Sequence, residues 1–290
     1  MPDNVASFNF LVRSPRYENE KPYTITPSAE RTDIEESARS NIEMERHDGI
    51  KITDIRDFKS DINIDTHGFQ VLSHDTKYPR LDKLAYCKGY KKETAEVLEQ
   101  AFGAELVITW DLRRRHVREY QKGVKWDYND MRSTEGPAIM AHIDYTFEAG
   151  LAAINAYLTT EQKMKFLNDN YRVRLISTWR PMVPVIEDHP LALCDPRSVK
   201  TDDMTACDRI LGDNLGEVYF LHYQPDQKWY WLEHQTPSEL YAILMWDSEA
   251  NGQARYCPHV SFTNSRAAPN ASPRESVETR SIVITRREED

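Results

Sequence analysis

The hydrophobic positions of this chain fall mostly in short stretches that turn residues separate, which is the pattern of β-strands. Up to residue 137 the strand candidates are 5–12, 50–55, 62–72 (with a turn at Gly68) and 104–110. From residue 137 the β content rises, and the candidates are 138–146, 172–179, 191–193, 218–223, 228–233, 241–246, 257–262 and 277–285. Strands in such a series predict an antiparallel sandwich or double-stranded β-helix (jelly roll) rather than βαβ units.

Two regions carry helical periodicity. Apolar residues of 91–102 recur near a spacing of 3.6, and Gly103 can end that helix. Residues 147–169 also look helical, with Thr159 or Thr160 as a possible N-cap. The fold prediction is therefore a mostly β protein with flanking helices around a jelly-roll core.

The chain divides into a polar N-terminal part and one large domain. We expect residues 1–49 to form a first strand followed by a polar arm over 13–49, which is either solvated or a flap that orders over a bound substrate. We expect residues 50–290 to form a single jelly-roll domain with a helical insert at about 147–169.

The amino-acid composition limits the classes of partner that we expect for this chain. The 290 residues include 37 Lys and Arg against 47 Asp and Glu, a net charge of −10, which disfavours nucleic acid and anionic membranes. No apolar run is long enough to span a bilayer, and no signal peptide is visible. Four cysteines without a CxxC motif predict reduced thiols in a cytoplasmic protein. The chain has no GxGxxG or GxxxxGK[ST] motif, so nucleotide binding has little support. A small-molecule partner remains, and a homo-oligomer is left open.

The candidate chemistry lies in three separate segments. His142 and Asp144 are two residues apart on a predicted strand, so their side chains share a face. His259 lies on a late strand, and Arg274 and Ser276 share a face of the following one. Two histidines and one carboxylate form the facial triad that suits non-haem Fe(II), and an arginine beside a hydroxyl suits the far carboxylate of 2-oxoglutarate. A lone His-x-Asp is a weak signal, but the combination in this order is much stronger.

Four more residues are candidates for the substrate pocket. Thr146 shares the ligand face and could line the pocket mouth, and Trp229 and Trp231 could wall an apolar pocket or pack in the core. Arg180 could pair with a substrate or cosubstrate carboxylate, or with a buried acid such as Asp195. The basic stretch 113–118 is interpreted as a solvated strand edge or turn.

Several motifs in 50–285 together resemble those of one enzyme family. They are Ala-His-Ile-Asp-Tyr-Thr at 141–146, Thr-Trp-Arg-Pro at 178–181, Pro-Leu-Ala-Leu-Cys-Asp at 190–195, Lys-Trp-Tyr-Trp at 228–231, Trp-Asp-Ser at 246–248, Pro-His-Val-Ser-Phe at 258–262 and Pro-Arg-Glu-Ser-Val-Glu-Thr-Arg at 273–280. The sequence resembles the fungal hydroxylase/desaturase group of non-haem iron enzymes, which includes the aspergillic-acid-pathway hydroxylase and the gibberellin desaturase and is related to the cephamycin 7-hydroxylation component.

The resemblance implies a reaction and its cofactors. It implies an Fe(II)/2-oxoglutarate-dependent dioxygenase that uses O₂, is supported by ascorbate, and hydroxylates or desaturates an unactivated C–H bond of a small molecule such as a secondary metabolite. The implied metal ligands are His142, Asp144 and His259, and Arg274 and Ser276 are the implied 2-oxoglutarate clamp. The alternatives are a catalytically inactive jelly-roll binding module, a 2-oxoacid-independent non-haem iron dioxygenase and a metal-dependent hydrolase.

Overall fold

Two β-sheets organise the computed structural model, which describes residues 4–26, 34–117, 130–212, 214–249 and 255–287. The strands are β1 (Asn4–Leu11), β2 (Tyr23–Thr26), β3 (Met44–Asp54), β4 (Phe69–Ser73), β5 (Leu106–His116), β6 (Thr134–Glu135), β7 (His142–Ile143), β8 (Tyr171–Pro181), β9 (Leu191–Cys194), β10 (Met204–Leu211), β11 (Asn214–Leu221), β12 (Trp229–Trp231), β13 (Glu239–Asp247), β14 (His259–Ser261) and β15 (Glu275–Arg286). The helices are α1 (Ile64–His67), α2 (Leu84–Phe102), α3 (Phe147–Tyr157) and α4 (Thr160–Phe166), with short 3₁₀ turns at Pro15–Glu18, Glu36–Ala38, Pro196–Ser198 and Thr201–Asp203.

The two sheets have nine and six strands. The nine-stranded sheet has the order β1-β3-β12-β9-β14-β7-β11-β10-β2, and the six-stranded sheet has the order β4-β13-β8-β15-β5-β6. Neighbours in both sheets are mostly far apart in sequence and antiparallel, as in a jelly roll. The predicted mostly β fold with a jelly-roll core is confirmed.

Strand register gives the nine-stranded sheet two different faces. His259 lies opposite both His142 and Leu193, so these three side chains share a face. Leu193 packs with Trp179 and Tyr241 of the six-stranded sheet, so this face looks into the space between the sheets. We call it the inner face.

The opposite face of the nine-stranded sheet is covered by the sheet itself. Asn9 of β1 bridges to Met140, just before β7, and its carbonyl accepts a hydrogen bond from the backbone N–H of Ala141. The sheet therefore curls back on itself and encloses a second core, in which Phe8 and Phe10 pack against residues from β7, β12 and β14. Burial on both faces holds β7 and β14, the strands that carry His142 and His259, in place.

The helices flank this β core. α2 packs on the outer side of the six-stranded sheet through Leu98, in a cluster with Ile176 and Val283, and Gly103 ends it at φ 59°. This helix begins at Leu84, earlier than the predicted residue 91. α3 and α4 fall within the predicted stretch 147–169, and Thr159 caps α4 in a capping box with Gln162.

Two predicted strands are shorter in the structure. The first half of 62–72 is the helical turn α1, because the side chain of Asn63 accepts a hydrogen bond from the backbone N–H of Thr66 and Gly68 ends the turn at φ 73°. Of 138–146, only β7 pairs as a strand, since Thr146 starts α3.

The N-terminal part contributes strands to the nine-stranded sheet. β3 pairs with β1 and runs across the predicted boundary between residues 49 and 50, and β2 pairs with β10. Residues 27–33 of the predicted arm lie outside the described residues. The flap and the domain division stay predictions. Across the described part of the chain, no helix combines the length and apolar character that crossing a membrane demands.

Candidate metal and cosubstrate site

Three side chains from β7, β14 and the turn after β7 converge on the inner face. His142, Asp144 and His259 each offer one donor atom, and these atoms all lie within 4.8 Å of one another. The two imidazole centroids are 4.4 Å apart, and His142 Nε2 lies 3.5 Å from Asp144 Oδ1. His142 and Asp144 are buried and His259 is partly buried. The pairing of β7 with β14 produces this convergence, since it places the two histidines opposite each other.

Backbone carbonyls orient both imidazole rings. His142 Nδ1 lies 2.8 Å from the carbonyl oxygen of Met140, and His259 Nδ1 lies 3.1 Å from that of Cys257. A carbonyl oxygen can only accept, so Nδ1 carries the proton in each ring. In the neutral ring Nε2 then keeps its lone pair for a metal ion, and a backbone carbonyl on Nδ1 is the usual outer support of a metal-binding histidine.

The charge states match the same donor set. Burial, together with the neighbouring His142, lowers the pKa of His259 to about 4, so its ring is neutral at pH 7. Burial alone would raise the pKa of Asp144, but the Arg280 guanidinium and His142 outweigh it and hold this pKa well below its usual range. The neutral imidazole of His259 and the ionised carboxylate of Asp144, together with the oriented ring of His142, fit a non-haem Fe(II) ion.

Arg274 lies farther along the same face. Its guanidinium is buried, and Nη1 donates to Ser261 Oγ at 2.9 Å and to the carbonyl oxygen of His189 at 3.0 Å. Ser261 lies two residues after His259 on β14, which places Arg274 one strand repeat from the metal donors. Burial lowers the pKa of Arg274 to about 10, so the group is still charged at neutral pH.

Some buried donors at this end of the site lack a partner. Within the described residues, Arg274 Nε and Ser276 Oγ are buried and form no hydrogen bond. A cavity of about 240 Å³ opens beside Ser276 and is lined mostly by residues 79–82 and 114–116, and neither Arg274 nor a metal donor is among its lining residues. Buried polar atoms are nearly always paired, so these two donors point to a bound acceptor such as a carboxylate.

An ion-pair lattice on the inner face was missed by the sequence interpretation. Arg113 and Arg115, assigned to a solvated edge or turn, are buried on β5, where they face Glu278 and Ser276 of β15. Arg118 of the same basic stretch lies outside the described residues. Arg115 Nε donates to Glu278 at 2.6 Å. The spacing of arginines and acids two residues apart could have revealed this lattice, because side chains at that spacing share one face of a strand.

The structure corrects the pocket role expected for Trp229 and Trp231 and places both in the core, which was the alternative expectation. Trp229 lies opposite Cys194 whereas Tyr230 lies opposite Leu193, so Tyr230 is on the inner face and the tryptophans face away from the metal donors. Trp229 and Trp231 instead pack in the second core with Phe8 and Phe262. Trp229 and Trp231 could line a pocket on the inner face only if the pairing of β12 with β9 were shifted by one residue.

The prediction for Thr146 is also corrected. Thr146 is fully buried as the N-cap of α3, where its hydroxyl accepts from the backbone N–H of Ala149 and donates to Glu217. It positions the helix after Asp144 rather than lining the mouth of a pocket.

Arg180 lies on the outer side of the six-stranded sheet. Its guanidinium donates to the hydroxyl of Tyr90 at 2.9 Å and to the carbonyl oxygen of His74 at 2.7 Å. The acid proposed as its partner, Asp195, pairs with Arg197 instead. Neither predicted role of Arg180 holds, because the side chain points toward α2 and not toward the metal donors.

Comparisons with known proteins show which family this chain belongs to. The family model described as "Oxidoreductase/YMDC permease-like domain" matches residues 8–284. The hydroxylase/desaturase efuI of Hormonema carpetanum is 28% identical over 81% of this chain and 83% of its own length. The hydroxylase/desaturase CTB9 of Cercospora beticola is 30% identical over 81% of this chain and 76% of its own length.

One relative also has a solved structure of the same fold. The Fe(II)/2-oxoglutarate-dependent dioxygenase nvfI of Aspergillus novofumigatus is 26% identical over 90% of each chain. The structure titled iron and alpha-ketoglutarate-dependent endoperoxidase NvfI superposes with a TM-score of 0.82, at 24% identity over 98% of this chain and 99% of that one. The chain therefore belongs to the fungal hydroxylase/desaturase family of Fe(II)/2-oxoglutarate-dependent oxygenases, as its sequence motifs predict.

Proposed function

We propose that this enzyme hydroxylates or desaturates an unactivated C–H bond of a small molecule, with Fe(II) held by His142, Asp144 and His259. Arg274 and Ser276 would hold the far carboxylate of 2-oxoglutarate, so that its keto-acid end would reach the iron. The observation that carries the proposal is the convergence of the three donors within 4.8 Å, with both histidine Nδ1 atoms already bound to backbone carbonyls.

The bound iron and 2-oxoglutarate supply O₂ activation and oxidation of the substrate C–H bond. Hydroxylation converts substrate, 2-oxoglutarate and O₂ into hydroxylated substrate, succinate and CO₂. Desaturation removes two hydrogens from the substrate and gives an alkene, succinate, CO₂ and water. The names of the relatives, which include hydroxylase/desaturase and dioxygenase, support this range of outcomes.

The protein residues position the reactants and exclude water. Arg274 presents a guanidinium whose Nη1 is fixed by two acceptors, so its remaining donors meet a carboxylate in a defined orientation. Trp179 lies under the guanidinium, with its ring 5.5 Å away, and shields it from water. Phe220 of β11 lies opposite His142 in the sheet, and its ring covers the His142 imidazole on the β11 side.

The ligand assignment is tested by anaerobic addition of Fe(II) and then 2-oxoglutarate. The wild type is expected to develop a weak visible charge-transfer band, and His142→Ala, Asp144→Ala and His259→Ala are expected to lose it. His47→Ala is the matched control, because that imidazole stacks on Tyr223 away from the donor set. A band of wild-type strength in Asp144→Ala without added ligand would show that the assignment is wrong.

The cosubstrate assignment is tested separately with Arg274→Lys. Lysine keeps the charge but lacks the fork that binds a carboxylate, so we expect 2-oxoglutarate to bind at least about tenfold more weakly, at nearly unchanged iron affinity. Succinate formed in step with substrate loss distinguishes this enzyme from a 2-oxoacid-independent dioxygenase, which would oxidise its substrate without 2-oxoglutarate.

A further inference from the structure

The two carboxylate oxygens of Asp144 have different partners. Oδ1 lies 3.5 Å from His142 Nε2, on the side of the metal donors. Oδ2 lies 3.4 Å from Arg280 Nη2, on the side of the six-stranded sheet. The carboxylate is buried, so few water molecules can compete for either oxygen.

Arg280 is itself held in place by the neighbouring strand. Its Nη1 donates to Asp111 Oδ2 at 2.7 Å, and the same oxygen accepts from Arg113 Nε at 3.0 Å. The pairing of β15 with β5 shifts register just after Arg280, and a bulge of this kind re-aims the adjacent side chain. Arg280 therefore reaches Asp144 from a fixed base rather than as a mobile surface arginine.

This arrangement restricts how Asp144 can bind a metal ion. We propose that Arg280 is a positioning residue that keeps Asp144 on one-oxygen coordination by occupying Oδ2. The inference rests on the proposed function, in which three protein donors leave three positions of an octahedral ion open. A bidentate 2-oxoacid and O₂ need all three positions. A carboxylate bound through both oxygens would take one of them, so Arg280 keeps the site open for the cosubstrate.

Co(II) is a suitable probe, because its visible absorption reports both binding and coordination. In Arg280→Gln we expect Co(II) still to bind, with an altered spectrum before any cosubstrate is added, since Asp144 is then free to bind through both oxygens. The affinity of the Co(II)-loaded protein for 2-oxoglutarate is expected to fall about 10- to 100-fold, the range typical of lost outer support at metal sites. A merely structural role would weaken Co(II) binding and leave the spectrum of the bound fraction unchanged.

Asp111→Asn and Arg280→Lys extend the test to milder changes. Asp111→Asn weakens the anchor of Arg280 without touching Asp144, so we expect the same spectral change and a smaller loss of 2-oxoglutarate affinity. Arg280→Lys keeps the charge, but lysine can reach only one of the two carboxylates, Asp111 or Asp144. We therefore expect an intermediate loss of 2-oxoglutarate affinity in this variant. These two variants decide the question if Arg280→Gln does not fold. Arg286→Gln is the matched control, since it removes an exposed ion pair with Glu105 at the end of the same strand.

A double-mutant cycle tests whether Arg280 acts through the carboxylate of Asp144. Asparagine offers one oxygen only, so adding Arg280→Gln to Asp144→Asn should change 2-oxoglutarate affinity less than it does in the wild type. Folded Arg280→Lys and Asp111→Asn with wild-type spectra and 2-oxoglutarate affinity would overturn the proposal. Failure of wild-type protein to bind Co(II), or undiminished binding in His142→Ala, would instead overturn the proposed function.

Discussion

His189 shows how one strained residue shapes the proposed cosubstrate site. Its φ is 49°, in the left-handed region that non-glycine residues seldom adopt, and it directly precedes Pro190. Its carbonyl oxygen accepts from Arg274 Nη1 at 3.0 Å and from Ser261 Oγ at 3.3 Å. The backbone thus holds an unfavourable conformation that aims one acceptor at Arg274, and strain of this kind is often found at functional sites.

Replacing His189 by glycine or by valine separates the effect of the backbone conformation from the effect of the imidazole ring. We expect His189→Gly to keep 2-oxoglutarate affinity within about twofold, since glycine adopts positive φ freely. His189→Val should lower the free energy of unfolding by about 1–2 kcal/mol and weaken 2-oxoglutarate binding, because a β-branched residue resists this conformation. Urea denaturation and cosubstrate titration measure the two effects. Equal losses in both variants would mean that the imidazole, paired with Asp188, carries the role instead.

Among the elements, α3 depends on a close approach to β13. A Cβ on Gly150 would lie 2.6 Å from Cγ of Trp246, so the helix can sit at this depth only with glycine. The indole Nε1 of Trp246 donates to the carbonyl oxygen of Phe147 at 3.0 Å, which ties the first turn of the helix to the sheet. Since Thr146, the N-cap of α3, is two residues after Asp144, the seating of α3 also fixes the end of the turn that carries Asp144.

Gly150→Ala is therefore expected to push α3 away from β13. We expect a loss of about 1–3 kcal/mol in the free energy of unfolding, the usual cost of overpacking, and weaker Co(II) binding as the turn at Asp144 shifts. Gly136→Ala is the matched control, because a methyl group there meets no atom within 4 Å. Chemical denaturation together with Co(II) titration of both variants checks this, and equal stability of the two would argue against the close approach.

At the scale of the whole molecule, buried charges link the two sheets. Arg209 of β10 in the nine-stranded sheet lies 3.8 Å from Glu135 of β6, which Arg115 of β5 also contacts at 3.4 Å. Arg115 continues the chain of contacts to Glu278 on β15. Burial alone would raise the pKa of Glu278, but the Arg115 guanidinium outweighs it and lowers that pKa below the usual value. Ionised Glu278 therefore stabilises the lattice.

This lattice predicts a stability difference that depends on pH. Glu278→Gln leaves Arg115 without its closest carboxylate, so at pH 7 it should cost about 3–5 kcal/mol, the usual effect of breaking a buried ion pair. The folded pKa of Glu278 is below its unfolded pKa of about 4.3, so the stabilisation is complete above that pH and lost as the pH falls through the folded pKa. The gap between wild type and variant should therefore shrink in acid.

Urea denaturation at pH 7, 5, 4 and 3 measures this gap. Glu275→Gln is the control on the same strand, because the Glu275 side chain is 42% exposed and its pair with His116 is worth less than about 1 kcal/mol. A gap for Glu278→Gln that stays constant down to pH 3 would show that packing rather than charge produces the effect.

The sequence by itself determined the fold class, the family and the three donors. Strand periodicity is local, so short apolar stretches were enough to predict a mostly β jelly roll. The pair His142 and Asp144 was readable for the same reason, since residues two apart on an extended chain share a face. His259 and Arg274 were predicted from the order and spacing of the motifs along the chain, and the family resemblance implied the same residues.

Only the tertiary structure decided which strand faces look inward. Trp229 and Trp231 show the same alternation whether they line the site or the second core, and the pairing of β12 with β9 settles it. Arg180 and Arg280 are both arginines on long strands, yet one binds Tyr90 on the outer side and the other reaches Asp144. Register is fixed by contacts between residues far apart in sequence, and a shift of one residue reverses every side chain, so local pattern cannot determine it.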